Sequence, residues 1–176
     1  MLLTTPRLFL RPFKEGDFTA LRELAAYPVI FRFRSRSTIT EDETREFLAR
    51  CQESAFETPP SMYAFALVMR DTSRLIGECG LNRLKEAPTE AYLWFSLHPV
   101  FWQQGYMREA ASAVLDFGFR EALLQRIHAS CHPDNLASRH VLERIGMHPL
   151  QKTGTIEPSP RIHFGLSSAE WSSGPR

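Results

Sequence analysis

The feature that most constrains the fold is a strand–turn–helix unit between residues 91 and 120. Residues 92–97 are aromatic or apolar except for one serine, a composition typical of a buried strand. Pro99 ends this strand because proline has no N–H to donate to a ladder. From Met107 onward, apolar residues recur at i, i+3, i+4, i+7, i+8 and i+11, which indicates one face of a helix. The unit therefore predicts a helix packed against a sheet.

The turn inside this unit is suited to hold an anion. Gly105 permits a tight loop in which the backbone approaches a ligand closely. The helix that follows exposes unpaired N–H groups and a positive dipole end, for which phosphate is the usual partner. Arg108 adds positive charge that disfavours the helix terminus until an anion binds. Neither a dinucleotide fingerprint nor a P-loop is present, so the spacing alone also fits a plain strand–helix connection.

Two motifs resemble the GNAT family of N-acetyltransferases. Residues 102–110, WQQGYMREA, resemble its acetyl-CoA pyrophosphate loop, Arg/Gln-x-x-Gly-x-Gly/Ala, in the form found in the ribosomal-protein N-terminal acetyltransferase branch. Residues 133–147, PDNLASRHVLERIGM, resemble the P-x-N-x-A-S-x-x-x-L-E-x-x-G-F of that branch. With LFLRP at 8–12 and LIGECGL at 75–81, the resemblance covers roughly residues 8–166.

The resemblance implies an α/β (α+β) fold with a mixed, mostly antiparallel twisted sheet flanked by helices. A length of 176 residues predicts a single domain, 1–176, with its core at about 8–166 and a frayed tail at 167–176. Other predicted elements are a strand at 8–12, helices from residues 18, 40 and 135, a hairpin over 63–81, a strand at 126–131 and a final antiparallel pair at 147–152 and 161–166.

Composition and residue spacing indicate which kinds of partner are not expected. A net charge of +1 gives no reason to expect nucleic-acid binding, and no apolar run approaches the ~20 residues of a membrane helix. Three scattered cysteines, without C-x-x-C spacing, predict reduced thiols and, with no signal peptide visible, a cytoplasmic location. The spacing of His128, His132, His140 and His148, without cysteine or paired carboxylates nearby, predicts no metal site.

The resemblance implies acetyl transfer from acetyl-CoA to a primary amine by direct attack in a ternary complex. In the family, the strand before the pyrophosphate loop separates from the next strand and binds the pantetheine arm. At Met107 the family usually has glycine or alanine, so its side chain is expected to turn into the core. The residues expected to bind acetyl-CoA are Leu97, His98, Gln103, Gln104, Gly105, Tyr106, Met107, Arg108, Asn135 and Ser138.

Asn135 and Ser138 also have a plain structural interpretation, as a helix cap and a small packing residue. Ser138 is the candidate proton donor to the CoA thiolate, because many relatives use a tyrosine in this region and none follows Tyr106. Glu78, Glu90 and His98 are candidate bases for the amine. Glu78 is favoured, because a buried carboxylate has a raised pKa. A strand-edge, solvent-facing Glu78, or an amine that arrives neutral, remains an alternative.

Several questions stay open at this level. The acceptor is a small-molecule amine or a protein N-terminus, because fold and cofactor loop do not determine it. Residues 29–36, where arginines alternate with phenylalanines, fit either an exposed extended segment or a wall of the acceptor pocket. A catalytically silent acyl-CoA-binding or scaffold protein and a different phosphate-ligand enzyme are the alternative functions. A homodimer is plausible by analogy, without a nameable interface.

Overall fold

An eight-stranded sheet runs through the computed structural model, which describes residues 1–33, 39–150 and 160–173. The spatial order of the strands is β1-β2-β3-β4-β5-β6-β8-β7. Every neighbouring pair is antiparallel except β5 and β6, which are parallel. The strands are β1 (Leu3–Thr4), β2 (Leu8–Arg11), β3 (Met62–Met69), β4 (Leu75–Arg83), β5 (Glu90–Leu97), β6 (Arg126–Cys131), β7 (His148–Pro149) and β8 (Ile162–Ser167). The predicted mixed, mostly antiparallel sheet is confirmed.

Helices cover both faces of the sheet. They are α1 (Phe18–Ala25), α2 (Pro28–Phe31), α3 (Glu41–Ser54), α4 (Tyr106–Arg120), α5 (Leu136–Arg144) and α6 (Ser168–Ser173), with 3₁₀ turns at Glu15–Asp17 and Pro99–Phe101. The helix predicted from residue 40 begins with a capping box: Thr40 accepts from the Glu43 N–H, and the Glu43 carboxylate accepts from the Thr40 N–H.

The larger core lies between α4 and the sheet. The helix face predicted from the sequence, which includes Met107, Ala111, Val114 and Leu115, is buried against apolar residues of β2 to β6 and β8. Because α4 connects β5 to the parallel strand β6, the three elements form a β–α–β unit. The unit places the start of α4 at the carboxyl end of β5.

A smaller core lies on the opposite face. Phe13 and Leu21, with Leu48 of α3, pack against Ala66 and Val68 of β3. Directly paired residues of antiparallel strands point to the same face, so Glu78, which pairs with Ala66 and with Ser96, lies on this α1/α3 side. The two faces of β4 and β5 therefore have different surroundings.

Two predictions are corrected. Residues 28–31 are helical rather than extended, because Pro28 occupies the first position of α2, where its missing N–H costs nothing. Arg34 and Arg36 lie outside the described residues. The tail was expected to fray, but residues 168–173 form α6 and the side chain of Trp171 packs on the larger core. No helix within the described ranges is long and apolar enough to cross a membrane.

Candidate functional site

The two central parallel strands separate partway along their length. Pairing between β5 and β6 covers Glu90 to Tyr92 on one strand and Arg126 to His128 on the other, after which the described pairing ends. Both strands continue, to Leu97 and to Cys131. Because they are parallel, their carboxyl ends and the loops that follow lie at the same edge of the sheet. The wedge between them is the separation that the resemblance implied.

The hydrogen-bond pattern decides which β5 groups face the wedge. The N–H of His98 donates to the carbonyl of Ile76 at 2.8 Å, on the β4 side. Backbone groups of successive residues in an antiparallel ladder point to alternate sides, so the N–H of Leu97 points toward the wedge. The N–H of Leu97 is therefore directed to the wedge, whereas the N–H of His98 is already bonded within the sheet.

The loop after β5 has an unusual backbone held by specific contacts. Gln103 has φ of 60° and Gly105 has φ of 81°, both in the left-handed region. The Gln104 side chain donates to the Val100 carbonyl at 2.8 Å, and the Trp102 indole donates to the Leu97 carbonyl at 2.7 Å. The amide of Gln104 is thus used inside the loop, which leaves backbone groups to meet a ligand. Left-handed turns of this kind collect N–H groups into an anion-binding concavity.

Helix α4 begins directly after Gly105, as predicted. The side chain of Met107 is 6% exposed and belongs to the larger core, as expected for a residue that departs from the family pattern. Arg108 is exposed, and the Tyr106 ring is half-buried. The first N–H groups of the helix have no carbonyl partner within α4, so its positive end lies at the mouth of the wedge.

Helix α5 begins at the carboxyl end of β6 in a matching arrangement. Asn135 caps it by accepting from the Ser138 N–H at 3.1 Å, so the structural interpretation of Asn135 is correct. The cap uses only the side-chain oxygen and leaves the amide NH₂ for a ligand. Ser138 is half-buried in the first turn of α5, which packs against α4.

Glu78 lies in β4, a central strand paired on both sides, so the alternative of a strand-edge carboxylate is wrong. It is half-buried on the α1/α3 face, directly opposite Ser96 of β5. Its charge reaches Cys51 of α3, where burial first and Glu78 second raise the pKa of the thiol to about 12. This carboxylate therefore lies on the strand next to β5, on the face of the sheet opposite α4.

The other two candidate bases are less well placed. The Glu90 carboxylate forms a hydrogen bond with His128 at 2.6 Å. Glu90 precedes Leu97 by seven residues, which corresponds to about 23 Å along an extended strand. His98 is 5% exposed, and its Nδ1 accepts from the Val100 N–H at 3.3 Å. Burial lowers the pKa of His98, Arg74 lowers it further and Glu23 opposes them. A neutral His98 therefore carries its hydrogen on Nε2 and acts as a donor there.

Aromatic contacts on the α1/α3 face were not predicted. The Tyr27 ring lies 4.6 Å from that of His98, and the Phe33 ring stacks at 5.3 Å on His132, which follows β6. The segment around α2 therefore reaches across the wedge on the side away from α4. No local pattern in the sequence signals such pairings, because the partners are 71 and 99 positions apart.

A cluster near the N-terminus was also missed. The Glu109 carboxylate in the first turns of α4 accepts from the Thr5 hydroxyl at 2.6 Å and from Nε of Arg7 at 2.7 Å. Nη1 of Arg7 donates to the Gln104 carbonyl at 2.9 Å. Arg7 and Glu109 have opposite charges but are about a hundred positions apart, so the sequence does not indicate that they pair. Within the described ranges, no group of three or more His, Cys, Asp or Glu side chains could hold a metal ion.

Comparison with known proteins adds independent information. A family model described as an acetyltransferase (GNAT) domain matches residues 7–148. The uncharacterized N-acetyltransferase YnaD of Bacillus subtilis is 31% identical over 84% of this chain and 82% of its own length. The uncharacterized N-acetyltransferase p20 of Bacillus licheniformis is 25% identical over 88% of this chain and 84% of its own.

Solved structures share the fold. A GNAT acetyltransferase from Bacillus anthracis has a TM-score of 0.81 and 24% identity, over 96% of this chain and 99% of its own. The ribosomal L7/L12 α-N-protein acetyltransferase RimL, in complex with CoA, has a TM-score of 0.78 and 17% identity, over 95% and 98%. A Vibrio cholerae spermidine N-acetyltransferase, in complex with CoA and spermine, has a TM-score of 0.77 and 16% identity, over 94% and 98%.

Proposed function

The chain belongs to the GNAT acetyltransferase family, and from this premise we propose that it moves the acetyl group of acetyl-CoA to a primary amine by direct attack in a ternary complex. The observation that carries the proposal is the wedge between β5 and β6, with the starts of α4 and α5 at its mouth. N–H groups lie on the α4 side of the wedge, and the Glu78 carboxylate lies on the opposite face of the sheet, on the strand next to β5.

The donor side is proposed to hold acetyl-CoA. Backbone N–H groups from Gln103 to Arg108 surround the pyrophosphate, supported by the left-handed turns at Gln103 and Gly105 and by the helix dipole. The pantetheine arm runs along β5, where the outward N–H of Leu97 donates to the thioester carbonyl and stabilises the charge that develops on its oxygen. The amide NH₂ of Asn135 completes the set from α5.

Glu78 and Ser138 are proposed to carry out the two proton transfers of the reaction. Glu78, directly or through one water, takes a proton from the amine as its nitrogen bonds to the acetyl carbon. The Ser138 hydroxyl donates a proton to the sulfur as the C–S bond breaks. The half-buried position of Glu78, opposite Ser96 of β5, supports this role.

The acceptor is proposed to be a polyamine-like small molecule or a protein N-terminus. These two classes are named for structural neighbours of the chain. The half-buried ring of Phe33, stacked on His132, supports an acceptor that enters on the α1/α3 side. Screening spermidine and a ribosomal-protein N-terminal peptide with acetyl-CoA, and following release of free thiol, decides between them. If none of the amines in the screen is acetylated, the transferase proposal is contradicted.

Thermal melting tests the cofactor. A ligand at ~100 times its dissociation constant adds about 2.7 kcal/mol to the stability of the folded state. We expect acetyl-CoA and CoA to raise the melting temperature, and ATP and NAD not to. A shift with a nucleotide and none with CoA would overturn the cofactor assignment.

A matched pair of glycine variants tests the loop. Gly105 and Gly146 have similar positive φ values of 81° and 87°, so alanine at either costs about 1–2 kcal/mol of stability. Gly146 lies beyond α5, with nothing within 4 Å of an added Cβ. We expect Gly105→Ala to weaken CoA binding about ten-fold by calorimetry, and Gly146→Ala to leave it unchanged. Equal affinities for CoA would place the pyrophosphate elsewhere.

A further inference from the structure

We propose that Arg7 is a positioning residue for the pyrophosphate loop: by holding the carbonyl of Gln104, it aims the N–H of Gly105 at the cofactor. This inference rests on the proposed function, because it assigns a task to a residue outside the motif that binds acetyl-CoA. It concerns the N-terminal strap, defined here as residues 5–7 between β1 and β2.

The geometry of the peptide bond carries the first step. Nη1 of Arg7 donates to the Gln104 carbonyl at 2.9 Å. The peptide from Gln104 to Gly105 is trans, so its C=O and its N–H point in opposite directions. Holding the carbonyl toward Arg7 therefore turns the Gly105 N–H away from Arg7. That N–H is one of the donors assigned to the pyrophosphate.

The loop needs such a restraint. Gln103 is a non-glycine residue at φ of 60°, a conformation that surrounding contacts must enforce. The Gln104 side chain secures one end of the loop through the Val100 carbonyl. The bond from Arg7 secures the other end, where the peptide that enters α4 would otherwise be able to rotate.

Arg7 is itself held rigidly. Its Nε and its backbone N–H both donate to Glu109, at 2.7 Å and 2.8 Å, and its guanidinium carbon lies 4.1 Å from the centre of the Tyr106 ring. Burial alone would raise the pKa of Glu109, but hydrogen bonds from Thr5 and Arg7 hold it below the usual value. The carboxylate is therefore charged at neutral pH, and the pair persists.

The strap is also fastened from the side away from the loop. Nη1 of Arg70 donates to the carbonyls of Thr5 and Pro6, at 2.9 Å and 3.2 Å. Arg70 thus stabilises the same strap without a bond to Gln104. It provides a matched control, an arginine whose loss loosens the strap but removes no contact to the loop.

The experiment measures dissociation constants for CoA and for pantetheine, which lacks the pyrophosphate, by calorimetry and by NMR titration of the folded protein. We expect Arg7→Gln to raise the dissociation constant for CoA about ten-fold and to leave that for pantetheine unchanged. Arg7→Lys keeps the charge but cannot bond Gln104 and Glu109 together, so we expect an intermediate value. Arg70→Gln lowers the melting temperature and leaves both constants within two-fold.

Three results would overturn the assignment. Arg7→Gln with wild-type affinity for CoA would remove Arg7 from the loop's function. An equal loss for CoA and pantetheine, or the same losses in Arg70→Gln, would reduce Arg7 to a stabilising residue. If Arg7→Gln does not fold, the dissociation constants of Arg7→Lys are compared with those of the wild type instead. A wild-type protein that binds no CoA would instead overturn the proposed function, and this inference with it, whereas the three results above leave that function intact.

Discussion

At the scale of single residues, the pairing of Arg11 with Asp17 shows how a buried charge is kept. The two side chains form a bidentate pair, with both N···O distances at 2.7 Å, and Asp17 also accepts from the Lys14 N–H. Burial by itself would raise the pKa of Asp17, but the bonds from Arg11 and Lys14 outweigh it and hold the pKa below its ordinary value. The pair joins the end of β2 to the start of α1.

Replacing this carboxylate gives a pH-dependent loss of stability. We expect Asp17→Asn to lower the free energy of unfolding by about 2–3 kcal/mol at pH 7, because Arg11 loses its charged partner. A lowered pKa stabilises the folded state above the unfolded-state pKa of about 3.9, and this stabilisation is lost as pH falls through the folded value. The difference between the two proteins should therefore shrink below about pH 4 in urea titrations.

Asp71→Asn is the control for this effect, because Asp71 is exposed at the turn between β3 and β4. It should change the free energy of unfolding by less than about 0.5 kcal/mol at either pH. A constant difference between wild type and Asp17→Asn from pH 7 to pH 3 would show that the pairing contributes nothing through charge.

At the scale of elements, α6 begins with a capping box whose residues are close together in the sequence. Ser167 and Glu170 form a capping box, in which Glu170 accepts from the Ser167 N–H at 2.7 Å and Ser167 accepts from the Glu170 N–H at 3.3 Å. A helix of six residues is not stable alone. It exists because Trp171 packs near Phe119 and donates to Asp116 of α4 at 3.2 Å.

Removing this contact should destabilise the whole domain. We expect Trp171→Ala to lower the free energy of unfolding by about 2 kcal/mol, because a half-buried indole is lost. Trp171→Phe keeps the ring contact and should cost about 1 kcal/mol. Ser172→Ala, on the exposed side of α6, should be close to neutral. Urea unfolding measures all three, and a neutral Trp171→Ala would mean that α6 does not contribute to the fold.

At the scale of the whole molecule, the two halves of the sheet are joined by few residue pairs at its centre. Seven residue pairs join β4 to β5 and six join β6 to β8, but only three join β5 to β6. Helix α4 also connects the two halves, because it packs on strands of both. A ligand in the wedge would contact both halves, because α4 follows one strand and α5 follows the other.

Hydrogen exchange with and without CoA tests this arrangement. We expect CoA to slow exchange of backbone amides at 103–108 and at 135–138, since both helix starts are proposed to bind it. Amides of α6, on the far part of α4, serve as the internal control and should not change. Protection limited to one of the two segments would show that CoA does not bridge the halves of the sheet.

Features that depend on neighbouring residues could be predicted from the sequence alone. The strand–turn–helix unit, the burial of Met107, the Asn135 cap and the capping box of α3 all follow from local periodicity and local hydrogen bonds. Family membership followed from motifs that are likewise contiguous. The resemblance supplied the separation of β5 from β6, which periodicity alone does not contain.

Contacts between distant parts of the chain become visible in the tertiary structure. It turned the N–H of Leu97, and not that of His98, toward the wedge, because ladder register sets the side to which each backbone group points. It brought Arg7 to Gln104, and Tyr27 to His98, across separations for which a single sequence holds no signal. Long-range packing selects these partners from many chemically equivalent side chains, and their identity therefore depends on the complete fold.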